Sequence, residues 1–218
     1  MGNFVIIYGK SGCGKSTSLE SFGEDEILLV NVMGKMLPFR NRFKYIVNSG
    51  DPNLIVEQMK KAVSNGIKTI VLDDVGYIQT QMFMSRHRNM KGNQSFELYN
   101  DIADTMWNLI QFCKNFPNDV NVYFLFHEDT NDFGITQIKT IGKLLDSKVC
   151  IEGMSTIVIR CMSKDGEHYF RTVTDGSDLT KTPRGMFDAD EIPNNLKLVD
   201  DKIREFYGTE IIKKEVAE

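Results

Sequence analysis

The sequence predicts an α/β fold: a mainly parallel central sheet flanked by helices, with a late antiparallel hairpin. Three observations predict it. Apolar runs of strand length recur at residues 4–8, 27–32, 44–47, 69–72, 120–126 and 156–161. Several are nearly unbroken in Val, Ile, Leu and Phe, as in strands buried on both faces. Segments of helical periodicity lie between them, and alternation of strand and helix is the signature of a doubly wound sheet.

The elements follow in order. A helix is expected over 16–21, behind the first strand. Asp51 then caps a second helix, with Pro52 at its first position and Leu54, Ile55, Met59 and Val63 on one stripe; Asn65-Gly66 ends it. Residues 95–116 carry Phe96, Tyr99, Ile102, Ala103, Met106, Ile110 and Cys113 at spacings of three and four, and Pro117 stops that helix. A shorter helix is expected over 138–147. Beyond about residue 155 the pattern changes to two alternating runs around Lys164-Asp165-Gly166, an antiparallel hairpin with an Asp-Gly turn. A charged helix over about 198–218 closes the chain and is expected on the surface. The 218 residues fit one domain.

Composition narrows the function classes. A net charge of −4 supplies no global positive field, so any nucleic-acid site must be a local patch. Cys13, Cys113, Cys150 and Cys161 form no C-x-x-C pair and are expected as buried reduced thiols, in keeping with a cytoplasmic location. No apolar stretch approaches the roughly 20 residues of a membrane-spanning helix, so no membrane partner is expected.

The first strand runs into "YGKSGCGKST". Gly9, Lys10, Ser11, Gly12, Cys13, Gly14, Lys15 and Ser16 satisfy G-x-x-x-x-G-K-[ST], the phosphate loop known as Walker A, and Thr17 follows. Its glycines allow positive φ and let backbone amides converge on phosphate oxygens. A helix N-terminus would add its dipole. Lys15 supplies a movable charge for the β- and γ-phosphates, and Ser16 offers a hydroxyl to Mg²⁺. The expected ligands are ATP and Mg²⁺.

A second strand ends in "TIVLDD", a Walker B pattern in which Asp73 reaches the metal. Asp74 reads in two ways: as the carboxylate that orients or deprotonates the attacking water, or as a cap on the next turn. A third buried strand ends in His127-Glu128, where His127 is either a γ-phosphate sensor or a histidine bonded to nearby loop backbone.

Together, residues 8–17, 69–74 and 126–127 resemble the RecA-like P-loop ATPases. A closer resemblance is to a phage-encoded group of AAA ATP-binding proteins that includes single-strand annealing proteins built on a RecA-like core. "IGKLLDSKVCIEGMSTIVIRC" at 141–161 and "GSDLTKTPRGMF" at 176–187 look like later segments of that group. The resemblance implies DNA recombination or replication, a homo-oligomer, and single-stranded DNA or a single-strand-binding protein as partner. RecA-like ATPases often carry a catalytic glutamate where this chain has Asn31, and that departure favours Asp74.

The topology of such folds implies DNA-binding loops after the Walker B and sensor strands. Residues 82–96, "MFMSRHRNMKGNQSF", concentrate Arg86, Arg88 and Lys91 beside Phe83 and Phe96, as single-strand binding requires; a solvated loop is the plainer reading. Residues 127–140 are too acidic for an easy parallel. Lys181 and Arg184, in "LTKTPRG", resemble a basic finger pair inserted into a neighbouring subunit's site, with Arg160 and Arg171 as fallbacks. Turnover would then be low without partner or DNA. Lys10 reads as a loop residue, or as a lysine that crosses to a dimer partner. Two other classes stay open: a nucleoside or nucleotide kinase, which would need an acceptor pocket and an Arg-rich lid, and a non-catalytic ATP-dependent switch.

Overall fold

A computed structural model describes residues 1–90, 94–141 and 149–209. The elements are β1 (Asn3–Gly9), β2 (Ile27–Asn31), β3 (Tyr45–Val47), α1 (Pro52–Ser64), β4 (Thr69–Asp73), α2 (Gly76–Arg86), α3 (Gln94–Lys114), β5 (Asn121–Thr130), β6 (Thr136–Ile138), β7 (Ile157–Lys164), β8 (Glu167–Arg171), β9 (Glu191–Pro193) and α4 (Leu196–Tyr207). The strands form one sheet in the order β3-β2-β4-β5-β1-β7-β8-β9, with β6 paired to β5. All pairings from β3 to β7 along that order are parallel; those of β8 with β7 and β9 are antiparallel. The expected mainly parallel α/β sheet with a late hairpin is what forms.

Each buried strand serves two cores, because successive side chains point to opposite faces. Phe4, Ile6 and Tyr8 of β1 join Ile55 and Met59 of α1, Ile78 of α2, and Met106 and Ile110 of α3. Val5 and Ile7 face the other way, toward Leu19, Phe22, Met186 and the α4 residues Leu196, Val199 and Ile203. Asp51 caps α1 by accepting from the Asn53 amide at 2.9 Å, with Pro52 first in the helix. In the β7–β8 turn both Asp165 (φ 54°) and Gly166 (φ 86°) take positive φ, the requirement of a two-residue I′ hairpin.

Several expectations need correction. The helix expected over 16–21 is only a 3₁₀ turn, Thr17–Leu19; Leu19 and Phe22 bury at once in the second core, and the chain turns away to β2. Ile138 ends a strand rather than opening a helix, and 142–148 lie outside the described residues. β5 continues past Phe126 to Thr130 and pairs with β6, so much of the supposed loop 127–140 is a β-ribbon. Cys150 is exposed, whereas Cys13, Cys113 and Cys161 are buried; all four are free.

The last helix also differs from expectation. It starts at Leu196, ends on Gly208 (φ 64°), and is not a purely superficial helix; 210–218 lie outside the described residues. Its buried stripe includes a charged pair, Asp200 and Arg204, at helical spacing, which hid the stripe in a sequence that reads as polar. Arg204 Nε donates to Asp200 Oδ2 at 2.8 Å, and its other nitrogens donate to the carbonyls of Asp119 (2.7 Å) and Lys68 (3.0 Å). Asp200 also accepts from Asn121 (2.7 Å), Tyr123 (2.8 Å) and Thr69 (3.1 Å). Every arm of the pair is engaged, so removing one partner strands a buried charge. Replacing Asp200 with Ala should cost about 3–5 kcal/mol in urea unfolding. A loss below about 1 kcal/mol would mean that solvent reaches the site and takes over the carboxylate's role.

Candidate functional site

Strand register builds the site. Gly9 of β1 pairs with His127 of β5, and Asn31 of β2 pairs with Asp73 of β4, while β5 lies between β1 and β4. Four parallel strands therefore reach one edge of the sheet, where Asn31, Asp73 and His127 line a common crevice, the place where open α/β sheets bind ligands.

The phosphate loop occupies the centre of that edge. Gly12 (φ 79°) and Gly14 (φ 101°) both lie in the left-handed region. Gly14 also lacks room for a side chain, since a Cβ there would stand 2.7 Å from Cγ of His168. Lys15 is buried and donates to the carbonyls of Gly9 (2.8 Å) and Lys10 (2.7 Å), spanning the loop from end to start. Its ammonium is 3.9 Å from Sγ of Cys13, whose thiol is shifted down, first by its hydrogen bond with Cys161 and then by Lys15 against the opposing effect of burial. With one 3₁₀ turn in place of a long helix, anion attraction here rests on the loop amides and Lys15 more than on a helix dipole.

The two Walker segments meet. Ser16 donates to Asp73 Oδ2 at 2.6 Å, and Oδ1 of Asp73 is buried without a hydrogen-bond partner. Burial pushes the Asp73 carboxyl above the usual carboxylate range, while the Ser16 bond opposes that. A hydroxyl and a buried carboxylate with an uncommitted oxygen suit Mg²⁺, a hard cation that keeps several of its waters and takes one or two protein oxygens. Ser16 and Asp73 are the residues that would hold it.

Asp74 does not cap the next turn. It sits at φ 60°, and α2 starts without a side-chain cap. Its carboxylate faces the crevice, where Oδ1 is 3.0 Å from Nε2 of His127 and Oδ2 meets the ammonium of Lys35. Burial pushes this carboxyl up, but the bonds from His127 and Lys35 outweigh it and hold it down to about 2. His127 thus bonds a carboxylate rather than loop backbone through its ring, and Tyr77 packs edge-on against it at 5.9 Å.

These groups line a cavity of about 360 Å³, together with Asn31, the 35–38 segment and His168. A second cavity of about 590 Å³, lined by Lys10, Tyr77, Thr80, Glu128 and Lys139 among others, shares Ser11, Lys35 and His127 with the first. Lys35 and His168 were missed in the sequence. An Asn31-x-x-Gly-Lys35 turn was the available signal for Lys35: Asn31 Nδ2 donates to the Lys35 carbonyl at 2.7 Å, and the Lys35 amide donates back to Asn31 Oδ1 at 3.2 Å. His168 had no such signal; the β7–β8 pairing alone carries it over Gly14.

Other expected site residues lie elsewhere. Lys181 and Arg184 are exposed and line neither cavity; Lys181 pairs through its backbone with Val158, alongside β7. The fallback arginines are engaged within the chain. Arg160 makes a two-pronged bond to Glu128 (2.9 and 3.1 Å) and reaches Asp178 at 3.3 Å, and Arg171 pairs with Asp175 at 2.7 Å. The supposed loop 82–96 is largely helical: residues 82–86 end α2, 87–89 form a 3₁₀ turn, and 94–96 open α3. Arg86 pairs with Asp101 at 2.9 Å, Arg88 is exposed, and Lys91 lies outside the described residues. Phe83 stacks on His87 with ring centres 4.8 Å apart, whereas Phe96 is 67% exposed.

A family model described as an AAA domain matches residues 1–184. The chain belongs to that family, whose P-loop ATPase character agrees with the nucleotide-binding site built above. A search of curated proteins found no match. Among the described residues, no helix is long and apolar enough to cross a membrane.

Asp73→Asn should weaken ATP affinity in Mg²⁺ by about 10–100-fold and barely change it in EDTA. Titration calorimetry under both conditions checks this. Equal losses in both would point to a collapsed loop rather than a lost metal contact.

Proposed function

We propose that this chain is a RecA-like ATPase that binds ATP·Mg²⁺ and hydrolyses it to ADP and phosphate, in DNA recombination or replication of a phage. The observation that carries the hydrolytic half is the meeting of Ser16 with Asp73 at 2.6 Å, beside an Asp74 carboxylate presented to the same crevice. Lys15 and the loop amides grip the phosphate tail. Ser16 and Asp73 would hold magnesium, which would supply neutralisation of the charge that develops on the phosphates. The part of Asp74 is to orient the attacking water by accepting its hydrogen bond, with His127 holding the carboxylate in its ionised form. His127 holds that carboxylate in place and reports on the phosphate beside it.

The oligomeric and DNA-binding parts rest on the resemblance and on a surface. Phe96 and Trp107 on α3 are exposed, and Arg86 in the last turn of α2 reaches Asp101 of the same α3. The Arg86–Asp101 pair is half-exposed, and such pairs contribute about 0–1 kcal/mol, so a phosphate can displace the carboxylate. Lys181 and Arg184 stay available to a neighbouring subunit because they are exposed and outside the chain's own site.

The second cavity favours one alternative: an acceptor seated there would make the chain a phosphotransferase. Labelled ATP with a panel of nucleosides separates the two. Labelled nucleoside supports transfer, and free phosphate alone supports hydrolysis.

ATPase rate should rise more than linearly with protein concentration and rise again with single-stranded DNA, and Lys15→Ala should abolish it. A rate strictly proportional to protein and indifferent to DNA would remove both the shared site and the DNA role. Replacing Arg86 and Arg88 together with Glu should lower the slope of log affinity against log salt for an oligonucleotide by about 1.4, two lost contacts at ~0.7 each. An unchanged slope would place the DNA elsewhere.

A further inference from the structure

The β2–β3 connection brings a cation to the crevice that no motif foretold. Lys35 is fixed at its backbone and held at its tip by Asp74. Asn31, buried at the end of β2, holds the Lys35 carbonyl and amide at 2.7 and 3.2 Å, and Gly34 (φ 61°) makes the turn between them. Gln81 of α2 adds a bond to the carbonyl of Val32 at 3.4 Å. The side chain beyond this clamp is 58% exposed, and its ammonium meets Asp74 Oδ2.

Its location is informative. Lys35 is one of three residues common to both cavities, with Ser11 and His127. The first cavity holds most of the phosphate loop and the second takes in its Lys10 and Ser11, so Lys35, at the partition between the two, stands in the crevice that would receive a phosphate tail. Of the other cations, Lys15 belongs to the phosphate loop, Lys10 and Lys139 line the second cavity and not the first, Arg160 and Arg171 are held by Glu128, Asp178 and Asp175, and Lys181 and Arg184 line neither.

Resting on the ATPase reading, we propose that Lys35 is the cation that meets the terminal phosphate of the bound nucleotide, supplied in cis by the chain's own β2–β3 loop. An ammonium on a flexible four-carbon stem can exchange one carboxylate for phosphate oxygens by rotating its side chain, with its backbone anchor unmoved. The exchange has a second consequence. Asp74 loses its cation and keeps His127, which frees Oδ2 to accept from a water at the moment a γ-phosphate is present. A diphosphate, which lacks the terminal phosphate, would leave Lys35 on Asp74. The loop thus couples recognition of the triphosphate to exposure of the water-orienting carboxylate. Asn31, where related ATPases place a glutamate, acts through Lys35 as a positioning residue.

The test uses Lys35→Ala in the full chain, with circular dichroism and thermal midpoint as checks of folding. Three readouts decide it. kcat should fall about 10²–10³-fold, as on removing a donor aimed at developing charge. Affinity for a non-hydrolysable ATP analogue should fall about tenfold, the scale of one charge-assisted contact, with ADP affinity little changed. Mixing Lys35→Ala with Lys15→Ala protein should give no more activity than the sum of the two, because a cis cation cannot complement in trans. Asn31→Ala should reproduce the kcat loss in part, with Lys35→Arg retaining more activity than Lys35→Ala. Wild-type kcat in Lys35→Ala, or activity restored by mixing, overturns the proposal. A wild-type protein that binds ATP and never turns it over removes the hydrolysis reading instead. The ratio of triphosphate to diphosphate affinity then decides Lys35 alone: a drop in the variant sustains it, and an unchanged ratio sinks it.

Discussion

The parallel pairing of β5 between β1 and β4 is the constraint on which the rest of the molecule depends. It sets Gly9 beside His127 and β4 alongside β5, and with the β2–β4 pairing that levels Asn31 with Asp73 it brings four strands to one edge. A one-residue slip in either pairing would turn every core side chain to the wrong face and take Asp73 away from Ser16. The register is held because both faces of the central strands are buried, with Phe4, Ile6 and Tyr8 on one side and Val5 and Ile7 on the other. Burial energetics and site geometry therefore have the same cause. The buried Asp200–Arg204 network adds a polar anchor at the opposite ends of β4 and β5.

The electrostatics of the crevice follow from that alignment. Two adjacent carboxylates at a strand end repel each other and lose hydration. The chain answers with different partners for each. Asp73 receives only the Ser16 hydroxyl and retains an uncommitted oxygen, which suits a cation-coordinating role. Asp74 receives an imidazole and an ammonium and stays ionised. The pair is thereby divided into a carboxylate suited to a metal and a carboxylate suited to water. The same device, a charge held by a partner that can leave, recurs in Lys35 on Asp74.

Basic residues elsewhere show why sequence composition is a poor guide to which cation serves a phosphate. Arg160 and Arg171 sit on strands close to the phosphate loop, yet their guanidinium groups lie in a cluster with Glu128, Asp175 and Asp178. Two-pronged geometry and the burial of Glu128 and Asp178 commit Arg160 to structure. Lys35, on a loop with no strand or helix of its own, is held at its tip by Asp74 and lines the cavity of the phosphate loop.

Much of this was fixed by local chemistry and is legible in the sequence. Unbroken apolar runs gave the buried strands, Asp51-Pro52 gave the start of α1, and Asp165-Gly166 gave the hairpin, because each depends on neighbours within a few residues. The phosphate loop and Asp73 were legible for the same reason, since strand, glycines and lysine are contiguous. Tertiary structure alone decided what depends on distant partners. It placed His168 over Gly14, put His127 on Asp74, drew Lys35 into the crevice, and turned a charged C-terminal segment into a half-buried helix. It also cut the helix after the phosphate loop to a single turn, with Leu19 and Phe22 buried in the second core. Each of these contacts joins segments far apart in the chain, and no local pattern of residues can specify which distant group will arrive.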